Sequence, residues 1–334
     1  MNKNLFEKKV LLFANPGYGE FFLKKLLNLK NVKVVGVFKR SDSSIFNLLN
    51  IFKINLFHRK NKSIKKFFNY NKIKNLIIKL NPFKNKIHKS TIIENICIEN
   101  NIPIYDPALY FSSKLRKYFL EMNIDVILVT SYSYLIPEHI IKLAKFYGIN
   151  FHPSLLPQYR GSNSEFCAIF NGEKKSGITF HILNKQFDTG DIILQKEFYI
   201  EDGETTSSYK KKAAELGCFM LEDLFKLIDN KKDFEKKLKK QNKSLISYCS
   251  LPNEYDHLGK NLTVKEVINR VNAFNGSGKS PAKISINTFT HNAINQLYTI
   301  ENKSTLELSG QVIRGTQTGL SELLLLQNSN LDHK

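Results

Sequence analysis

The chain has 334 residues, 42% of them hydrophobic with 25 Phe and 14 Tyr, and a formal net charge of +20. That length can bury a sizeable core and sets an expectation of two domains. No run of eighteen apolar residues and no leader pattern precedes the first strand, so the expectation is a cytoplasmic protein with neither membrane span nor signal peptide. The charge points to a polyanionic partner. Lys, Asn and Ile are abundant throughout, however, so charge alone does not separate a nucleic acid from a small anion. Cys97, Cys167, Cys218 and Cys249 are far apart and lack metal spacing. They read as reduced, mostly buried thiols, with neither a metal nor a disulfide framework expected.

Val10 to Ala14 is a continuous apolar run, followed by Asn15-Pro16-Gly17-Tyr18-Gly19 and a helical pattern from Glu20 to Leu29. Val32 to Phe38 follows as a second strand, which makes a βαβ opening and predicts an α/β fold with a doubly wound, mostly parallel sheet. The Gly pair is not a dinucleotide fingerprint, because the third glycine is missing and Lys39-Arg40 stands where an acidic residue is needed. Ser41 to about Ser90 is irregular, with basic clusters at Arg59-Lys60 and Lys65-Lys66 interleaved with Phe67, Phe68 and Tyr70. On composition this insertion reads as a solvated face.

Helices are expected over Ile92 to Asn100, Leu115 to Met122 and Glu138 to Lys145, and strands over Pro103 to Tyr105 and Asp125 to Thr130. Ser162 to Glu165 resembles a helix cap before Phe166 to Phe170. After strands at Ser176 to Leu183 and Ile192 to Tyr199, Thr205 or Thr206 caps a long helix with an apolar stripe Tyr209, Ala213, Leu216, Met220, Leu224 and Leu227. Its Lys-rich end marks the close of a first domain, 1–235. A second, 245–330, has a helix near Val264 to Val271 and short strand-like runs at Lys283 to Ile286, Gln296 to Ile300 and Leu323 to Gln327. These suggest a small β-rich, barrel-like domain.

The chemistry concentrates at Ile149-Asn150-Phe151-His152, where a strand meets the Pro-bounded loop Pro153 to Gly161. Asn150 and His152 are two residues apart and therefore share a face, at the sheet edge where α/β proteins bind ligands. Asp188, in Phe187-Asp188-Thr189-Gly190-Asp191, could be delivered beside them and would fix the tautomer and raise the basicity of the imidazole. On spacing alone, a structural histidine and an Asp-Thr-Gly turn account for the same residues.

Asn150-x-His152-Pro-Ser-Leu-Leu-Pro-x-Tyr-Arg-Gly, then Ser176-Gly-Ile-Thr and Asp188-Thr-Gly-Asp-Ile, resembles the formyltransferases that use 10-formyltetrahydrofolate. The resemblance covers about residues 8 to 200. It implies an N-formyltransferase with Asn150, His152 and Asp188 as catalytic residues and no metal. It also implies a folate site built from the loop after the fourth strand, Tyr134, Leu135 and Ile136, with Ser154, Leu155, Leu156 and Pro157 and the Thr189-Gly190 turn. Acceptors in this family are small-molecule amines, nucleotide sugars or methionyl-tRNA. The tRNA enzymes carry Gly-Ala-Ala-Pro where this chain has Gly161-Ser162-Asn163-Ser164. They also carry an Arg-x-Phe-Asn-Pro-Trp-Pro segment, of which only Ala273-Phe274-Asn275 remains here. Phe166 suits the sugar enzymes. The expected acceptor is therefore an amino-sugar nucleotide. The alternatives are initiator methionyl-tRNA, which the basic insertion favours, and a non-catalytic folate- or RNA-binding module. Oligomeric state is left open.

Overall fold

The computed structural model describes residues 7–39 and 91–249, and beyond these 257–258, 264–275, 277, 282–284, 305–308 and 311–314. The basic insertion at 41–90 and the strand-like runs at 296–300 and 323–327 lie outside the described residues. The chain forms two compact units, Met1–Asn150 and Phe151–Lys334.

In the first unit the expected opening is present as β1 (Lys8–Ala14), α1 (Gly19–Leu27) and β2 (Val32–Phe38). Val10 to Ala14 are fully buried: β1 is an inner strand, paired in parallel on both edges, and in such sheets the crossover helices cover the faces, so no polar alternation is needed. Then come α2 (Ile92–Glu99), β3 (Ile104–Tyr105), α3 (Ser113–Met122), β4 (Val126–Thr130), α4 (Glu138–Ile141) and β5 (Tyr147–His152), whose last two residues begin the second unit. A Thr91/Glu94 capping box starts α2, and Glu94 also accepts from the buried Lys39 ammonium at 3.0 Å.

Helix α4 is shorter than its sequence pattern predicts. It stops at Ile141 because Lys145 and Phe146 donate their N–H groups to Ile124 and Asp125 at 2.8 and 3.0 Å, which draws the chain out of the helix and into β5.

The second unit contains α5 (Ser164–Phe170), β6 (Lys175–Ile182), β7 (Ile192–Tyr199), α6 (Thr206–Asp229) and α7 (Lys231–Lys237). The seven main strands run in the order β3-β2-β1-β4-β5-β6-β7. Pairing is parallel between β1 and β2, β1 and β4, β2 and β3, and β4 and β5, and antiparallel between β6 and β7. The expected α/β fold with a mostly parallel sheet is what the chain adopts.

Two local expectations are corrected here. The cap before α5 is not formed: Asn163 sits in the left-handed region with φ 63° and spends its amide on Ser162 Oγ at 3.2 Å. The buried face of α6 is Tyr209, Ala213, Ala214, Gly217, Leu221, Leu224, Phe225 and Ile228, whereas Leu216, Met220 and Leu227 are half-buried. The buried face includes Ala213, Ala214 and Gly217, small residues that a search for large apolar side chains passes over.

Toward the C-terminus are β8 (His257–Leu258), α8 (Val264–Phe274), β9 (Ala282–Ile284), β10 (Thr305–Leu308) and β11 (Gln311–Arg314), the strands ordered β11-β10-β9-β8. Helix α8 is fastened by Phe274 edge-on to Phe166 at 5.2 Å and by Thr206 Oγ1 donating to the Ala273 carbonyl at 2.6 Å. Among the described residues no helix is long and apolar enough to cross a membrane.

The expectation of reduced cysteines is overturned for one pair. Cys167 and Cys249, 82 residues apart, form a disulfide with Cα atoms 5.6 Å apart. Backbone bonds between Arg160 and Ser247, and between Ser247 and Pro157, bring the two segments together, a proximity with no sequence signature.

Candidate active site

His152 ends β5, and Pro153, which lacks an N–H, closes the ladder there. The loop that follows is held by its own polar groups. Ser154 Oγ donates to the Gln158 carbonyl at 2.7 Å, and Thr179 Oγ1 donates to the Ser154 carbonyl at 2.7 Å. Leu156 N–H reaches Thr179 Oγ1 at 3.2 Å, and Gln195 Nε2 donates to the Leu156 carbonyl at 3.0 Å. The Leu156-Pro157 bond is cis. From the other side, Tyr209 Oη donates to the Pro153 carbonyl at 2.9 Å and receives a bond from Ser176 Oγ at 2.6 Å.

His152 is buried, at 5% exposure. A carbonyl only accepts, so the Nε2 contact to Tyr159 O at 2.9 Å requires the proton on Nε2. The other nitrogen, Nδ1, faces Asp188 Oδ2 at 3.6 Å. Asp188 is also buried, with φ 53° in the left-handed region. Its Oδ2 accepts from Gly161 N–H at 2.8 Å, and its Oδ1 faces His181 Nε2 at 3.3 Å. Burial alone would push the Asp188 carboxyl up, but the facing His152, the hydrogen bond and charge of His181 and the Gly161 amide outweigh it. The carboxyl is held well below the usual range, so Asp188 is a carboxylate throughout the physiological span.

The turn carrying Asp188 is tightly packed. A Cβ on Gly190 would lie 1.8 Å from the Ile182 carbonyl oxygen, so only glycine fits there. Thr189 Oγ1 donates to Asn184 Oδ1 at 2.7 Å, and Gln241 Nε2 donates to the carbonyls of Asp188 and Gly190 at 2.9 and 2.7 Å.

Of the residues expected from sequence, the second unit brings together His152 and Asp188, with the Ser154–Pro157 loop and the Thr189-Gly190 turn packed around them. Asn150 lies two residues before His152 on β5, level with Val129 of β4, and so projects to the same face of the sheet. Tyr134, Leu135 and Ile136 belong to the first unit, in the segment after β4. There Tyr134 stacks edge-on to Tyr132 at 5.6 Å, Leu135 is 52% exposed and Ile136 is buried. His181 and Gln241 carry no signal in the motif, and Arg160 enters it without a role. His181 lies in the buried strand β6, and its one signal is strand alternation with Thr179, whose side chain also serves the loop.

Residues 70–223 match the formyl transferase family. The chain is 33% identical over 198 residues to methionyl-tRNA formyltransferase of Fusobacterium nucleatum subsp. nucleatum, covering 59% of this chain and 63% of the relative. It is 29% identical over 318 residues to that of Mycoplasma mycoides subsp. mycoides SC, covering 94% of this chain and 84% of the relative. The chain thus spans just over three fifths of the first relative's length and most of the second's. Among solved structures it is similar in fold to an N-formyltransferase from Helicobacter canadensis in complex with folinic acid and dTDP-3-aminofucose. That likeness has a TM-score of 0.52 at 18% identity and covers 85% of each chain. The match over 70–223, which contains the paired His152 and Asp188, makes this part of the chain similar to the formyl transferase family.

Proposed function

We propose that this chain transfers the formyl group of 10-formyltetrahydrofolate to a primary amine, and that the amine is that of methionyl-tRNA. The observation that carries the reaction is the buried Asp188 carboxylate facing His152 Nδ1 at the end of β5. The amine nitrogen attacks the formyl carbon and the C=O opens to a tetrahedral oxyanion. The bond from carbon to N10 then breaks, and the proton lost by the amine ends on N10. His152, which presents an Nε2–H, and Asn150, on the same face of β5, are the oxyanion donors. The formyl oxygen competes with the Tyr159 carbonyl for the Nε2 proton. Asp188 fixes the imidazole and accepts the amine proton, directly or through water. Removing one oxyanion donor typically costs on the order of a hundredfold in rate.

In the first unit the exposed Leu135 and the half-buried Tyr134 offer apolar and aromatic surface suited to a flat pterin, and in the second unit the half-buried Leu155 is a further apolar residue of the folate-binding set. The remaining residues of the folate site are Ile136, Ser154, Leu156, Pro157, Thr189 and Gly190. The binding of tRNA is supported by the Mycoplasma mycoides relative, which matches 94% of this chain, and by the net charge of +20. An amino-sugar nucleotide is the second reading. It is favoured by Ser162-Asn163-Ser164, with Asn163 in a left-handed turn, at the place where the tRNA enzymes carry Ala-Ala-Pro.

Offering the protein 10-formyltetrahydrofolate with charged initiator tRNA or with a panel of aminodeoxysugar nucleotides separates the two. Formylation of tRNA whose binding weakens steeply with salt supports the first reading, because each phosphate contact releases counterions. Salt-insensitive formylation of a nucleotide sugar alone establishes the second. Transfer to neither refutes the proposal.

A further inference from the structure

The residues that match the family end at 223, yet a segment beyond them is built into the site. Residues 239–249 run as a strap past both loops that carry His152 and Asp188. Lys239 and Ile192 exchange backbone bonds of 2.8 and 2.9 Å, and Lys240 Nζ lies 2.7 Å from Asp191 Oδ2. Ser247 accepts from Tyr159 N–H at its Oγ and from Arg160 N–H at its carbonyl, both at 2.9 Å. The Cys167–Cys249 disulfide closes the far end.

Within the strap, one side chain touches both loops. Gln241 gives its Nε2 hydrogens to the Asp188 and Gly190 carbonyls at 2.9 and 2.7 Å. Its Oε1 accepts from Arg160 Nη2 and Nε at 2.6 and 3.1 Å, and Arg160 is buried. Two donors and an acceptor at one side-chain end are the property of a primary amide: a carboxylate lacks the donors and an ammonium lacks the acceptor. The two carbonyls bracket Thr189, so the amide pins the turn in which Asp188 holds its left-handed backbone. A non-glycine residue there costs about 1 kcal/mol or more and persists only where the surroundings determine it.

We propose that Gln241 is a positioning residue of the formyl-transfer site, its amide tying the Asp188 turn to Arg160 and so holding the Asp188 carboxylate against His152 and His181. The inference rests on the catalytic reading of Asp188 and His152 given above. Gln241 touches no reacting atom and acts through Asp188.

Two variants separate the donor role from the acceptor role. Gln241→Glu keeps the partner of Arg160 but sets a carboxylate against two carbonyls, and Gln241→Met removes both functions at similar length. Each is assayed in the full-length protein with 10-formyltetrahydrofolate and the acceptor that the wild type formylates, together with the melting temperature. The expected result is a fall in kcat of roughly tenfold to a hundredfold for both, since displacing a catalytic group by about 1 Å costs on that order. KM for both substrates should stay near the wild-type value. A loss of folded protein would also lower apparent kcat at constant KM, so kcat is expressed per folded molecule from the circular dichroism of the same preparation, and a fall that persists on that scale is the positioning effect.

Wild-type kcat in Gln241→Met overturns the proposal. So does wild-type kcat in Gln241→Glu, since pairing with Arg160 would then be all that matters. If Gln241→Met fails to fold, Gln241→Glu decides alone, because Arg160 remains satisfied in it. Asp188→Asn and His152→Ala are measured alongside. Activity retained in those two sinks the catalytic reading itself, whereas their inactivity beside unimpaired Gln241 variants sinks only the positioning role.

Discussion

Replacing Gly190 with alanine forces a methyl group into space that the protein already fills. The new Cβ would stand 1.8 Å from the carbonyl oxygen of Ile182 and 2.7 Å from its carbonyl carbon, backbone atoms with no rotamer by which to move aside. Real Cβ contacts begin only above 3.0 Å, so the Asp188-Thr189-Gly190 turn and the end of β6 must separate by more than about 1 Å. That movement loosens the Ile182 N–H bond to the Asp191 carbonyl, 2.9 Å, and carries Asp188 away from the Gly161 amide and from His152. Overpacking of this kind costs about 1–3 kcal/mol. In a domain of this size it lowers the melting temperature by about 2–4 °C per kcal/mol. The catalytic consequence is larger, since a misplacement of about 1 Å costs roughly a hundredfold in rate. Thermal unfolding followed by circular dichroism, with single-turnover formyl transfer on the same preparation, reads both numbers. A Gly190→Ala protein with wild-type melting and wild-type turnover refutes the packing of this turn against β6 and the placement of Asp188 that follows from it.

Tyr209→Phe removes a buried hydroxyl that donates to Pro153 and accepts from Ser176, leaving both without it. Urea unfolding should show a loss of about 1–3 kcal/mol, and an unchanged midpoint contradicts the network. Asp188 is held below its ordinary range, so its ionisation stabilises the fold above the unfolded value of about 4, and that contribution is lost as pH falls through the lower folded value. The stability difference between wild type and Asp188→Asn should therefore narrow from about pH 5 downward, and a gap constant to about pH 3 contradicts the sign. The disulfide closes a loop of 82 residues, so Cys249→Ser should cost about 3–5 kcal/mol, a deficit that vanishes once the wild type is reduced. Thiol titration of the unreduced, denatured chain should find two thiols, Cys97 and Cys218, and four would contradict the pairing. In the folded protein Cys218 should react first, because burial, then the Glu94 charge, pushes the Cys97 thiol up to about 12 against the opposing pull of Lys39.

Local physics made much of this legible from sequence. Val10 to Ala14 announces a central strand because burial on both faces leaves no polar alternation, and Ile192 to Tyr199 is bounded by turn chemistry at both ends. His152 and Asp188 were found by motif, since their approach to 3.6 Å follows from β6 and its turn, which spacing alone does not fix. Arg160 was legible as part of that motif, but its buried contact to Gln241 was not, because 81 residues intervene. The Cys167–Cys249 pair and the Gln241 bonds to the Asp188 turn are contacts of the same kind, made by a strap whose course is set by tertiary packing. The α4 overrun has the opposite cause: helical periodicity continued to Lys145, and two strand-end hydrogen bonds overruled it.

The most direct measurement is the single-turnover rate of formyl transfer from 10-formyltetrahydrofolate by wild type, His152→Ala and Asp188→Asn, each shown to be folded by its circular dichroism spectrum. Wild-type turnover with a loss of a hundredfold or more in both variants, on the order expected for a missing oxyanion donor or its orienting carboxylate, is the predicted result. Turnover within a fewfold of wild type in either variant contradicts the assignment of this pair to the chemistry.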